Sequence, residues 1–159
     1  MSETQQQMPP LMVLNQYVKD LSFEVPGAPM IFATMRAQPR VDINLDVQAR
    51  RLSDDSNQFE VVIAVRAEAK DTTEGSADAV VFVAELAYAG LFALNGIPDE
   101  QVEPVLLVEC PRILFPFARN IIADVTRNGG MPPVMLQPID FLALWQARRA
   151  QATQPAGNA

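Results

Sequence analysis

FEVVIAVRAEAK (Phe59–Lys70) and, after the polar hexapeptide DTTEGS, ADAVVFVAELAYAG (Ala77–Gly90) decide how this chain folds. In the first, Phe59, Val61, Ile63 and Val65 fall on one side of an extended chain, and Glu60, Arg66 and Glu68 on the other. A period of two marks a strand with one buried face. The second stretch is apolar on both faces, as in a strand covered on both sides. Working outward, VDINLDVQ (Val41–Gln48) alternates again, with Val41, Ile43, Leu45 and Val47 inward and Asp42, Asn44, Asp46 and Gln48 outward. NQYVKDLSFEV (Asn15–Val25) supplies a further strand before it. Its period places Tyr17, Lys19, Leu21, Phe23 and Val25 on one face and Val18, Asp20, Ser22 and Glu24 on the other. PGAP (Pro26–Pro29), AQPR (Ala37–Arg40) and the polar loop SDDSNQ (Ser53–Gln58) separate the strands, and connections of this length make neighbours antiparallel.

From about residue 99 the period becomes helical. DEQVEPVLLVEC (Asp99–Cys110) predicts a short helix broken or started at Pro104. In ECPRILFPFARNIIADVTRNGG (Glu109–Gly130), Ile113, Leu114, Phe117, Ala118, Ile121, Ile122 and Val125 make a wide apolar arc. Pro116 lies one turn into this helix, where it bends the axis, and Gly129–Gly130 stops it. MPPVMLQP (Met131–Pro138) is an extended connector, after which Asp140 caps a last helix, FLALWQARRA (Phe141–Ala150). Strands followed by helices give an α+β fold, a four-stranded antiparallel sheet followed by a long and a short helix. Residues 11–150 form a single domain, and the Gln-rich residues 1–10 and the aperiodic residues 151–159 are expected to be disordered tails.

Composition narrows the function. The 159 residues are 49% hydrophobic and 19% charged, with a net charge of −7. An acidic chain lacks the basic face that neutralises nucleic-acid phosphates, so no nucleic-acid partner is expected. There is no histidine, which removes Ser-His-Asp triads, Cys-His dyads and histidine metal ligands. A single cysteine, Cys110, allows no internal disulfide and points to a reducing, cytoplasmic setting. MSETQQQMPP (Met1–Pro10) lacks the pattern of a signal peptide, and no apolar run has the roughly 18 residues of a membrane span. The protein is expected to be soluble, without membrane insertion.

Few residues nominate chemistry. Cys110 stands before a helix-starting proline, yet Glu109 adjoins it and no histidine exists to activate it, so a packing role outweighs a thiol nucleophile. The glycines of GLFALNG (Gly90–Gly96) fit neither a phosphate loop nor a dinucleotide fingerprint. No spacing nominates a catalytic carboxylate pair or a metal site. The apolar arc of the long helix exceeds what one small sheet needs, and surplus apolar surface implies oligomerisation or client binding, unless the last helix covers it. Asp20 and Glu24, with Ser22 between them, read by themselves as a solvated sheet face.

KDLSFEVPGAP (Lys19–Pro29), AELAYAGLFALNGI (Ala84–Ile97) and the run from Glu109 to Trp145, whose core is CPRILFPFAR, strongly resemble the SecB family of bacterial protein-export chaperones. The likeness covers about residues 11–150. It implies a cytosolic homotetramer, a dimer of dimers, that holds unfolded preproteins in hydrophobic grooves and delivers them to the SecA ATPase, without cofactor, metal or catalysis. It assigns SecA binding to Asp20, Glu24, Val83 and Glu85. It assigns the client groove or subunit contacts to Phe32, Ile43, Phe82, Ala84, Leu86, Phe92, Leu142 and Trp145. Leu114, Phe117, Ile121 and Val125 on the long helix become the dimer–dimer seam. MRAQPR (Met35–Arg40) departs from the family, with Ala37 where an aromatic residue is common; Phe32 or Met35 would then supply the groove wall. A SecB-like chaperone for another client, such as an antitoxin, and a thiol-dependent enzyme using Cys110 are the alternatives.

Overall fold

The computed structural model describes residues 7–153. Four strands, β1 (Leu11–Glu24), β2 (Arg40–Arg51), β3 (Gln58–Lys70) and β4 (Val80–Leu94), form one antiparallel sheet in the order β1-β4-β3-β2. The α+β class and the four strands are as expected, but β1 and β2, neighbours in sequence, lie on opposite edges. β2, β3 and β4 are joined by hairpins, while residues 25–39 carry the chain across from one edge to the other, an arrangement of Greek-key type. A short helix absent from the sequence reading, α1 (Met30–Thr34), lies on this crossing and buries Ile31. β4 starts at Val80 rather than Ala77, because Ala77 and Asp78 adopt left-handed backbone, with φ of 55° and 54°.

The strand periods of β2 and β3 hold as read. β4, expected to be covered on both sides, carries a helix over one face only among the described residues, and its other face presents Val83, Glu85 and Ala87. β1 does not keep a single period. Its register against β4 slips between Val18 and Asp20, which leaves Lys19 as the extra residue of a bulge. A one-residue slip turns every later side chain to the other face. Tyr17 therefore points to the outer face, while Leu21 and Phe23, opposite Leu86 and Ala84, point to the core. The bulge is held from β3. Glu60 on the outer face is 6% exposed and accepts hydrogen bonds from Lys19 Nζ at 2.8 Å, from Arg50 Nε at 3.1 Å and from the Tyr17 hydroxyl. The bonds from Lys19 and Tyr17 hold the Glu60 carboxyl down at a pKa of about 2, against the opposing effect of burial.

The helical region is one run. α2 (Asp99–Pro104), a π-helical turn (Val105–Glu109) and α3 (Cys110–Asn128) follow without an intervening loop. Neither Pro104 nor Pro111 ends the helix. The Cys110 N–H instead donates to the Val105 carbonyl five residues back. Pro111 has no N–H to continue the α-helical ladder, and a widened turn before it keeps the helix intact. Pro116 consequently sits well inside the run rather than near its start. α3 lies across the sheet and buries Cys110, Leu114, Ala118 and Ile122, all at 0% exposure, over Val61, Ile63, Phe82, Ala84 and Phe92. It ends at Gly129–Gly130 as read, with Gly130 at φ 82°. α4 (Phe141–Thr153) is capped by the Asp140 carboxylate, which accepts from the Ala143 N–H at 3.0 Å. It continues three residues past the expected domain end, so 151–153 are helical; the remaining tail residues, 1–6 and 154–159, lie outside the described residues.

α3 lies close to the sheet over Gly90, where a Cβ atom would stand 2.5 Å from the Phe92 ring and 2.9 Å from Leu114. Replacement Gly90→Ala forces Phe92 and Leu114 apart and is expected to cost about 1–3 kcal/mol, read as a lower urea midpoint at unchanged slope. A second prediction concerns acid. The folded Glu60 carboxyl keeps its charge below its ordinary value of 4.5, so its contribution is complete above that pH and is lost as pH falls towards about 2. Glu60→Gln is expected to flatten the fall of stability across this window, as measured by unfolding midpoints at stepped pH.

Candidate functional site

The two faces of the sheet differ in chemistry. On the outer face, three cross-strand rows running β2–β3–β4–β1 read Asp42–Glu68–Val83–Glu24, Asn44–Arg66–Glu85–Ser22 and Asp46–Ala64–Ala87–Asp20. The strand pairing thus brings Asp20, Glu24, Val83 and Glu85 together, the two acids of β1 beside the two residues of β4. Glu24 is the direct partner of Val83, and Ser22 of Glu85. Ala64 and Ala87 are too small to fill their row, and a shallow hollow of about 330 Å³ opens there, walled by Asp20, Asp46, Arg66 and Glu85.

Carboxylates crowd this face, and their counter-ions are unevenly shared. Asp46 meets Arg148 of α4 at 2.5 Å, and Asp42 lies 3.7 Å from Arg40. Arg66 bridges two acids, with Nη1 at 2.6 Å from Glu68 and Nε at 3.0 Å from Glu85. Arg66 draws the Glu68 carboxyl below its ordinary pKa and is itself raised by Glu68 and Glu85. Among the described residues, Asp20 and Glu24 make no ion pair, and both are exposed. A face with free carboxylates attracts a cationic partner and raises its rate of encounter more than its final affinity.

The helix-covered face is apolar. Phe82, Ala84, Leu86 and Phe92, expected at a groove or subunit contact, are 0–3% exposed and form the floor beneath α3. They are therefore core of the single chain, because α3 covers this face of β4 directly. Leu114, expected at the seam, is likewise fully buried against the sheet. The other seam residues lie higher on the helix: Phe117 is 49% exposed and stacks on Tyr88 at 6.1 Å, while Ile121 and Val125 are half-buried. α4 does not cover Phe117, since it packs on the opposite side of α3, where Phe141 meets Phe115 at 5.8 Å. The uncovered apolar surface continues from Phe117 onto the same face of β1 through Val13, Val18 and Leu21.

A second apolar region lies at the β2 edge. A groove of about 600 Å³ runs between Val47 of β2 and Val102, Leu106 and Leu107 of the long helix. Trp145 of α4 borders this region: its indole N–H donates to Glu103 at 2.9 Å, and Arg149 lies over its ring. Leu142, 40% exposed, lines a separate cleft with Val105 and Arg112. Ile43 is exposed farther along β2, and Phe32 is exposed beside Gly130. The expected groove residues thus divide among several places. Val47 was read from sequence only as an inward strand residue, and Val102, Leu106 and Leu107 were not singled out, although the spacing of Val102 and Leu106, one helical turn, carried the signal.

Cys110 resolves plainly. Its side chain is fully buried, and burial, reinforced by the charge of Glu109, pushes the thiol up to about 12. Such a thiol is not a nucleophile at neutral pH. In the native protein it is expected to resist iodoacetamide on a timescale that labels it completely in denaturant, as followed by intact mass.

Known proteins agree with this architecture. The family model described as "Preprotein translocase subunit SecB" matches residues 4–152. The Protein-export protein SecB of Granulibacter bethesdensis is 69% identical over 153 residues, covering 95% of this chain and 90% of that protein. That of Acidiphilium cryptum is 62% identical over 159 residues, covering 95% of each. Among solved structures, a Mycobacterium tuberculosis SecB-like chaperone in complex with an antitoxin peptide superposes with a TM-score of 0.65 at 16% identity, over 82% of this chain and 91% of that one, and so shares the fold. With one family model spanning nearly all of the chain and relatives well above half identity, this protein belongs to the SecB family.

Proposed function

We propose that this chain is an ATP-independent chaperone that holds unfolded preproteins and delivers them to SecA, acting in the cytoplasm as a homotetramer built as a dimer of dimers. The observation that carries the reading is the separation of surfaces on one sheet, with free carboxylates outside and uncovered apolar residues on the helix side. The names of the relatives, protein-export proteins, support the same role.

Holding is binding without catalysis. An unfolded preprotein exposes apolar segments, and burying them contributes about 25 cal/mol per Å². The groove between Val47 and Val102–Leu107 is suited to such a segment, with Trp145, Leu142, Ile43 and Phe32 as flanking contacts. β2 is an edge strand, so an extended client also finds backbone hydrogen-bonding groups beside this groove. Phe82, Ala84, Leu86, Phe92 and Leu114 support these surfaces from below. Self-association through Phe117, Ile121 and Val125, extended by Val13, Val18 and Leu21, removes the uncovered apolar strip from water. Several modest sites on one assembly then raise the apparent affinity for a long client. SecA docks on the outer face at Asp20, Glu24, Val83 and Glu85, where a basic segment finds free charge.

One experiment separates the two surfaces. The purified protein is expected to slow refolding of a preprotein in proportion to its concentration, without ATP. The double variant Asp20→Asn/Glu24→Gln is expected to delay refolding equally while losing most of its SecA binding at low salt. No delay at excess chaperone would sink the holding role. Absence of SecA binding by the unaltered protein would point to a dedicated client, such as an antitoxin, in place of export.

A further inference from the structure

We infer that Arg66 is a built-in competitor at the SecA docking face: its guanidinium occupies Glu85 until a basic side chain of the partner replaces it. The inference rests on the docking reading above and adds to it a residue that decides which partners succeed.

Three observations carry it. First, in the three rows around the hollow Arg66 is the single basic residue, and it sits directly opposite Glu85. It therefore already makes the contact that an incoming lysine or arginine would make. Second, its hold on Glu85 is exchangeable. The side chain is 42% exposed and divided between two carboxylates, and exposed ion pairs are weak and open to competition. When a partner takes Glu85, Arg66 keeps Glu68 at 2.6 Å, so displacement strands no charge. Third, there is room for the exchange. Ala64 and Ala87 leave the hollow open between Arg66, Glu85 and Asp20, and Asp20 has no cation of its own among the described residues.

The consequence is a threshold. A partner bearing an isolated cation gains Glu85 only by displacing an equivalent one, with little net change. A segment with several cations gains Asp20 and Glu24 as well, and that surplus drives the exchange. Arg66 thus sets the face to respond to a densely basic segment and to ignore sparsely charged chains, a specificity achieved by competition within the protein.

The test is a double-mutant cycle on the full chain, with affinity for SecA measured by titration calorimetry at low and high salt. Arg66→Gln is expected to tighten binding about fivefold at low salt, the upper range for one exposed pair, and to do less at high salt. In a Glu85→Gln background the same change is expected to bring no gain. Unchanged or weaker binding by Arg66→Gln overturns the inference, as does a gain that persists without Glu85, which would mark a general effect of net charge. Asp20→Asn separates the two levels. If Asp20→Asn binds as the unaltered protein does, the docking reading falls and Arg66 with it. If Asp20→Asn weakens binding while Arg66→Gln brings no gain, docking stands and the competitor role falls alone.

Discussion

One extra residue in β1 governs the rest of the molecule. Lys19 interrupts the register against β4, so that Leu21 and Phe23 enter the core while Asp20, Ser22 and Glu24 turn to the outer face. With an unbroken period of two from Tyr17 onward, the aromatic and the acids would exchange sides, and the sheet would present carboxylates to α3. The Glu60 cluster holds this bulge from across the sheet, over β4, since β3 supplies the carboxylate, β1 supplies Tyr17 and Lys19, and β2 supplies Arg50. A buried carboxylate with three donors is satisfied, and it links three of the four strands on a face that no helix of the described residues covers.

The helix-covered face follows a different constraint. α3 needs close approach at Gly90 and Gly129, where side chains would collide with Phe92, Leu114 or Phe23. The two glycines let a long helix lie flat on a twisted sheet. Its inner stripe completes the core of a single chain, and its upper stripe, at Phe117 and Ile121, is left over. The same helix therefore completes the core along one stripe and leaves an uncovered apolar stripe along another, on residues three or four apart.

Much of this was legible along the chain. Alternation in β2 and β3 gave both faces correctly, because side chains there follow the pleat, whereas the apolar run of β4 was read as covered on both sides and is covered on one. Helical spacing, the Gly129–Gly130 stop and the Asp140 cap located α3 and α4. The acids of β1 were assigned to outward positions, and the sheet order then set them beside Val83 and Glu85 of β4. The π-helical turn was hidden because Pro104 and Pro111 are ordinarily read as boundaries, and only the rearranged hydrogen bond of Cys110 shows that the helix continues. Phe82 and Phe92 carried an apolar signal that is the same for a core residue and for a groove wall.

By itself, then, the sequence determined which side chains share a face in β2, β3 and the long helix, the absence of histidine chemistry, and the family likeness, since all of these are read from residue type and local spacing. Tertiary structure decided the strand order, the β1 bulge, the covering of β4 by α3 and the pairing of Arg66 with Glu85. Each of those depends on contacts between residues far apart in the chain, chosen by which apolar faces can be buried together, and no local pattern encodes that choice.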